Sequence, residues 1–147
     1  MATKKRRVIT STETFSLLES TADELVRAQE ALSPAMETAF DGLLSAAKFV
    51  DLVKEGKLQT ATIAIEGKPS CILFFQVNPS LGWLYIEGAA AIERTPIHRI
   101  FEGVDALAGE LKSKAVVFVT KYSALLRAAL DRGYNNAGVV MFKPRQR

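Results

Sequence analysis

The sequence predicts a mixed α/β fold with helices on both faces of one sheet. Three observations carry that prediction. In the middle of the chain, three short runs rich in β-branched and aromatic residues are joined by tight-turn sequences. On both sides of that middle, apolar residues recur at three and four positions, the period of an amphipathic helix. In the last third, helical and valine-rich stretches alternate, the pattern of parallel strands joined by helices. The 147 residues, 48% of them apolar, are expected to form a single domain, residues 1–147, around one substantial core.

In chain order, "RRVIT" forms a short first strand. "TADELVRAQEAL" opens with Thr21 and Glu24 in capping-box spacing, and its Leu25, Ala28 and Leu32 share one helical face. Ser33 and Pro34 supply an N-cap and a first-turn proline for a second helix, along which Met36, Phe40, Leu43, Ala47 and Val50 repeat. Gly56 ends it. "LQTATIAI", "SCILFFQV" and "GWLYIEGA", separated by "EGKP" and "NPSLG", form an antiparallel meander. Thr95 is the expected N-cap of a third helix with Pro96 in its first turn. Ile97, Ile100, Phe101, Val104, Leu107, Ala108 and Leu111 mark that helix's apolar face. The strand "AVVFVT" follows, as a right-handed crossover and parallel pair require. "YSALLRAALDRG", closed by Gly133, is a fourth helix and "AGVVMFK" a last strand, which gives the order β-α-α-β-β-β-α-β-α-β.

The net charge of +3 is unevenly spread. Lys4, Lys5, Arg6, Arg7, Lys143, Arg145 and Arg147 put seven positive charges at the ends, in basic tails at about 1–7 and 143–147 that contain no acid. Removing those seven from the 19 basic residues leaves 12 against 16 acidic, a net −4 for residues 8–142. Such tails can contact phosphates, acidic protein surfaces or anionic lipid, or simply keep the ends solvated. Nucleic acid is therefore a possible partner, although the interleaved aromatic platform of single-strand binders is missing beside the tails. Cys71 has no second cysteine to pair with and no nearby histidine, so the expectation is a buried thiol and no metal site. No apolar run approaches the ~20 residues of a membrane span, and the N-terminus lacks a signal-peptide pattern, so the expected location is cytoplasmic, with no membrane contact.

The element order, and above all "IFEGVDALAGELKSKAVVFVT" and "ALLRAALDRGYNNAGVVMFK", resemble the GNAT acetyltransferase superfamily, a mixed sheet splayed between its fourth and fifth strands. The first segment is similar to the family's third helix and fifth strand. The second is similar to its fourth helix and next strand, with Gly133-Tyr134 where the family usually has Gly-Phe. The resemblance implies a coenzyme A pyrophosphate site in the loop before the third helix, of pattern Arg/Gln-x-x-Gly-x-Gly or Ala. There, glycines permit close backbone approach and amide N–H groups bind the phosphates. The matching loop is "IERTPIHR", residues 92–99, which has no glycine, and Pro96 removes one donor. Arg94, His98 and Arg99 are the side chains that could supply charge instead, with Gly88 and the alanines after it offering compact backbone nearby.

The resemblance further implies a tyrosine four residues before the Gly-Phe glycine that protonates the departing thiolate; Ala129 stands there, with Tyr122 and Tyr134 bracketing the helix. Tyr134 is expected to pack as the aromatic after a helix stop. Glu87, on the strand similar to the family's fourth, stands where several acetyltransferases hold the carboxylate that accepts the amine's proton. Strand alternation places it with Trp83 and Tyr85, opposite Leu84 and Ile86. An exposed strand carboxylate and a surface histidine are the plainer readings of Glu87 and His98.

Two functions are consistent with these residues. In the first, the chain is a degenerate, non-catalytic GNAT-like module with no expected cofactor, binding a protein partner or its own copies. Its size and layout are similar to the small GNAT-like virion-associated proteins of short-tailed bacteriophages, which would place it in a virion. In the alternative, it is an acetyl-CoA-dependent N-acetyltransferase with Arg94, His98 and Arg99 at the donor and Glu87 as base.

Overall fold

The computed structural model describes residues 6–38, 45–120, 123–138 and 143. The described residues form one six-stranded sheet, ordered β1-β2-β3-β4-β5-β6 with every neighbour consecutive in the chain. The strands are β1 (Val8–Ser11), β2 (Phe15–Leu18), β3 (Gln59–Ile65), β4 (Lys68–Asn78), β5 (Trp83–Ala91) and β6 (Ala115–Phe118). The first five pair antiparallel and β6 joins β5 in parallel. Helices α1 (Ala22–Thr38) and α2 (Ala46–Lys54) precede the meander, α3 (Ile97–Glu110) makes the crossover, and α4 (Ser123–Asp131) follows β6.

The sheet is covered on both sides, so its central strands bury both sets of alternating side chains. One face carries Leu17, Ala61, Ile63, Cys71, Leu73, Phe75 and Leu84 against Val104 and Leu107 of α3. The other carries Leu58, Ile72, Phe74 and Ala90 against Ala28 of α1 and Phe49 of α2, and the rings of Phe49 and Phe74 meet edge to face at 5.5 Å. Burying each of the larger side chains contributes ~1.5–3 kcal/mol. Because α3 lies so close to the sheet, a Cβ on Gly103 would stand 2.4 Å from Ile63 Cδ1.

The meander and its turns match the sequence reading. Glu66 (φ 53°) and Gly67 (φ 79°) form the two-residue β3–β4 hairpin turn, both left-handed. The capping box is also present, with Thr21 Oγ1 accepting from the Glu24 amide at 3.2 Å and Glu24 Oε1 accepting from the Thr21 amide at 3.2 Å. Gly56, left-handed at φ 77°, ends α2 in a Schellman motif: its amide bonds the Val53 carbonyl and the Lys57 amide reaches Leu52. Gly133 and Tyr134 end α4 in the same way on Leu130 and Ala129. Lys112 takes the corresponding position after α3, at φ 52° and without glycine's freedom.

Five expectations need correction. The N-terminal strand is a hairpin, because Phe15 and Leu17 form a second strand after a Thr12–Thr14 turn held by the Thr12 hydroxyl rather than by glycine or proline. Ser33 and Pro34 start no helix; α1 runs through them to Thr38, its face packed by Leu25, Ala28 and Leu32, and the loss of one backbone bond at proline does not stop it. The second helix begins later, where Ser45 Oγ accepts from the Lys48 amide. Thr95 is not the cap of α3: Pro96 occupies that position, and the threonine hydroxyl donates to the Ser70 and Glu93 carbonyls. Leu111, assigned to the core face of α3, is exposed. Phe40, Leu43, Tyr122 and most of "AGVVMFK" lie outside the described residues.

Two substitutions, one in α3 and one just beyond its end, are expected to act in opposite directions in urea or thermal unfolding. Gly103→Ala pushes a methyl into Ile63 and lowers stability by about 1–3 kcal/mol. Lys112→Gly relieves a left-handed residue at an exposed site and raises it by roughly 1 kcal/mol.

Candidate functional site

The sheet opens at one place. β5 and β6 pair from Trp83/Ala115 to Ile86/Phe118; beyond that point β5 continues to Ala91, still paired with β4 but with no described strand on its other side. The parting coincides with a β-bulge: Ile86 pairs with Phe75 and Gly88 with Phe74, leaving Glu87 as the extra residue. Strict alternation is therefore interrupted at Glu87. Ile86 still packs with the α3-side core, yet Gly88 and Ala90 turn toward α2, where an added Cβ on Gly88 would touch Phe49 at an ordinary 3.5 Å. Glu87 is exposed by area, but the walls around it desolvate its carboxyl and raise its pKa above the usual carboxylate range. β6 ends at this opening and is followed by α4, whereas β5 runs on to Ala91 before α3 begins at Ile97. The carboxyl ends of diverging parallel strands are the usual place for a ligand in an open α/β sheet.

The loop before α3 is bound to the protein rather than open. A second bulge, at Ser70 of β4, frees that residue's carbonyl to accept three donors: the Ile92 amide at 2.9 Å, the Glu93 amide at 3.2 Å and the Thr95 hydroxyl at 3.0 Å. From α1, Arg27 donates to the Ile92 carbonyl at 3.3 Å and pairs with Glu93 at 3.0 Å. The amides that would start a phosphate cradle are thus already used. What remains is the first turn of α3, whose cap Pro96 offers no side-chain acceptor and whose Ile97 and His98 amides have no partner among the described residues.

Arg94 and His98 are exposed beside that turn, and Arg94 makes no ion pair among the described residues. Arg99 turns away to Glu102 at 2.9 Å. Arg6 is also engaged: it pairs with the buried carboxylate of Glu24. Arg7 and Lys143 are exposed, while Lys4, Lys5, Arg145 and Arg147 lie outside the described residues. Ala129, at the position of the family's acid, is buried. Tyr134 packs against Phe101 at 5.6 Å and Phe118 at 5.3 Å, with its hydroxyl pKa raised by burial and by Asp105. Cys71 is fully buried, which pushes its thiol up to about 12 and leaves it inert. Among the described residues no group of three His, Cys, Asp or Glu could hold a metal ion, and no helix is long and apolar enough to cross a membrane.

The bulge, the Ser70 carbonyl and the Arg27 contact were not anticipated from the sequence. Glycine after glutamate inside a strand run was the one available signal for the bulge.

This arrangement, a mixed sheet whose parallel pair parts at a bulge, is the GNAT fold. No protein-family model matches the sequence, and no curated relative does. Solved structures match over most of the chain. A possible acetyltransferase from Clostridium difficile 630 superposes with a TM-score of 0.61 at 11% identity, covering 91% of this chain and 99% of its own. A ribosomal-protein-alanine N-acetyltransferase from Brucella melitensis biovar Abortus 2308 gives 0.56 at 11%, over 90% and 97%. A GNAT family acetyltransferase from Brucella melitensis, solved with acetyl-CoA, gives 0.53 at 9%, over 80% and 82%. At such identities the likeness establishes the fold alone.

The raised pKa of Glu87 has a consequence for stability. A carboxylate held above its unfolded value binds its proton more tightly when folded, so its contribution is present at low pH and lost as pH rises through and above the ordinary glutamate range. Relative to the native chain, Glu87→Gln should therefore gain melting temperature progressively across that window. A difference independent of pH would mean that the carboxyl is freely hydrated.

Proposed function

We propose that the chain is an acetyl-CoA-dependent N-acetyltransferase with an atypical donor site. The observation that carries this reading is the coincidence, at Glu87, of the bulge, the parting of β5 from β6 and a desolvated carboxyl. The residues at the opening fit the donor in a modified form: the Ile97 and His98 amides, with the Arg94 and His98 side chains, would hold its diphosphate, charge replacing part of the usual backbone cradle. Bound acetyl-CoA supplies an acyl thioester, whose carbonyl carbon an acceptor amine attacks while its C–S bond breaks. Glu87 is the base that takes the proton from that amine; desolvation raises its pKa above the ordinary carboxylate range and so makes it a stronger base than a hydrated carboxylate. With alanine at 129, the leaving thiolate takes its proton from solvent.

The second reading, a non-catalytic binding module with a protein partner, is favoured by the loop amides committed to Ser70 and by the buried Ala129. Its extension to a phage virion rests on chain layout.

Calorimetric titration with acetyl-CoA and desulfo-CoA separates the two. The enzyme reading expects binding in the micromolar range that an Arg94→Ala, His98→Ala double variant weakens at least ~10-fold. It also expects Glu87→Gln to lower the acetylation rate by about 10²–10⁴ while retaining donor affinity. No heat at millimolar ligand would overturn it in favour of the binding module.

A further inference from the structure

The connection between β5 and α3 is held from two directions, and the two ties differ in kind. From β4, the Ser70 carbonyl accepts the Ile92 and Glu93 amides at 2.9 and 3.2 Å and the Thr95 hydroxyl at 3.0 Å. That acceptor is main chain, so it persists whatever side chain stands at position 70. From α1, one guanidinium nitrogen of Arg27, Nη2, donates to the Ile92 carbonyl at 3.3 Å and to Glu93 Oε1 at 3.0 Å. This second tie depends on a side chain, and it joins residues about 65 positions apart in the chain. An ion pair as exposed as this one, 39% and 41% at its two side chains, contributes little to stability by itself.

The place of the pair gives it two other consequences. The first is electrostatic. Glu93 is the one acid between Ile92 and Pro96, and Arg94 follows it directly. Neighbouring Cα atoms are about 3.8 Å apart, well inside the ~8 Å screening length of physiological salt. An unpaired Glu93 would therefore repel an anion at this end of the sheet and cancel much of the attraction that Arg94 exerts on it. Arg27 removes that opposition. The second consequence is geometric. Pro96 caps α3 three residues beyond Glu93, and the Ile97 and His98 amides follow at once. Holding Ile92 and Glu93 against α1 fixes the path by which the chain enters that first turn.

We propose that Arg27 is a positioning residue for the donor: it holds the connection before α3 and neutralises Glu93, so that a diphosphate meets Arg94 and the α3 amides without a competing carboxylate. The inference rests on the acetyl-transfer reading, and it gives Arg27 no part in the chemical step.

Calorimetric titration of the full chain with acetyl-CoA tests it, with four variants beside the native protein. Arg27→Ala should weaken binding by about tenfold. Arg27→Lys keeps a cation with three donors and should stay within about threefold of native. The Arg27→Ala, Glu93→Gln double variant removes the carboxylate that the single variant exposes, and should regain about threefold over it. A purely structural loss would not be relieved by taking away a second side chain. Arg127→Ala removes the same charge from an exposed site on α4 and should bind as the native chain does. Unchanged affinity in Arg27→Ala, when the native chain binds acetyl-CoA, overturns the inference and leaves the donor reading standing. A loss that Glu93→Gln fails to relieve overturns the neutralising role, and an equal loss in Arg127→Ala reduces the effect to net charge and overturns the positioning role. A native chain that takes up no acetyl-CoA at millimolar concentration overturns the donor reading and this inference together.

Discussion

The extra residue at Glu87 is the constraint from which the rest of the architecture follows. A strand presents alternate side chains to opposite faces, so a regular β5 would commit all its even-numbered residues to one core. Leu84 and Ile86 do pack on the α3 side, whereas Ala90 is buried on the α1 and α2 side with Gly88 beneath Phe49. One inserted residue makes both possible. The same bend takes β5 away from β6 after Ile86, and β6 ends at Phe118. The opening in the sheet and the passage of the late β5 residues from one core cluster to the other are therefore two results of one backbone irregularity.

The α1 side of the molecule is organised around a buried acid. Glu24 Oε1 accepts the Thr21 amide of its own capping box, the Thr62 hydroxyl of β3 at 2.7 Å, and the Arg6 guanidinium. Three donors on one buried oxygen offset the desolvation that an unpaired buried carboxylate would suffer. This ties the N-terminus, the start of α1 and the centre of the sheet to one another. It also withdraws Arg6 from the basic tail, whose positive charge is smaller in effect than its residue count implies.

Much of this was legible from residue types and spacing, because the signals involved are local. "EGKP" specifies a hairpin through the left-handed conformations it needs, Thr21 and Glu24 specify a capping box by their separation, and Gly56 and Gly133 specify helix ends. The failures share a cause. Ser33-Pro34 has the local chemistry of a helix start, and only the packing of Leu25, Ala28 and Leu32 decides that the helix continues. Thr95 has the chemistry of an N-cap, but the Ser70 carbonyl, 25 residues away in sequence, competes for its hydroxyl. Bulges shift register between two strands and leave only a faint trace in either one. Glu87, Arg94 and His98 are legible as residue types, while the bulge at Glu87 and the commitment of the loop amides to Ser70 are tertiary.

The Ser70 carbonyl also explains why the loop before α3 can lack glycine. A cradle made of successive amides needs backbone that approaches the ligand closely, which glycine permits. In this chain the first two amides of the loop point inward to β4, and Arg27 holds the loop from the α1 side, so close approach at those positions serves no purpose and side chains are tolerated there. In the proposed donor reading, an anion at this end of the sheet would be held by the two uncapped amides of α3 together with the Arg94 and His98 side chains. Exposed charges are screened by salt far more than fixed amide dipoles in a closed cradle. A donor site of the proposed kind would differ from a glycine-built one in the origin of its affinity, with long-range charge attraction replacing much of the short-range backbone fit.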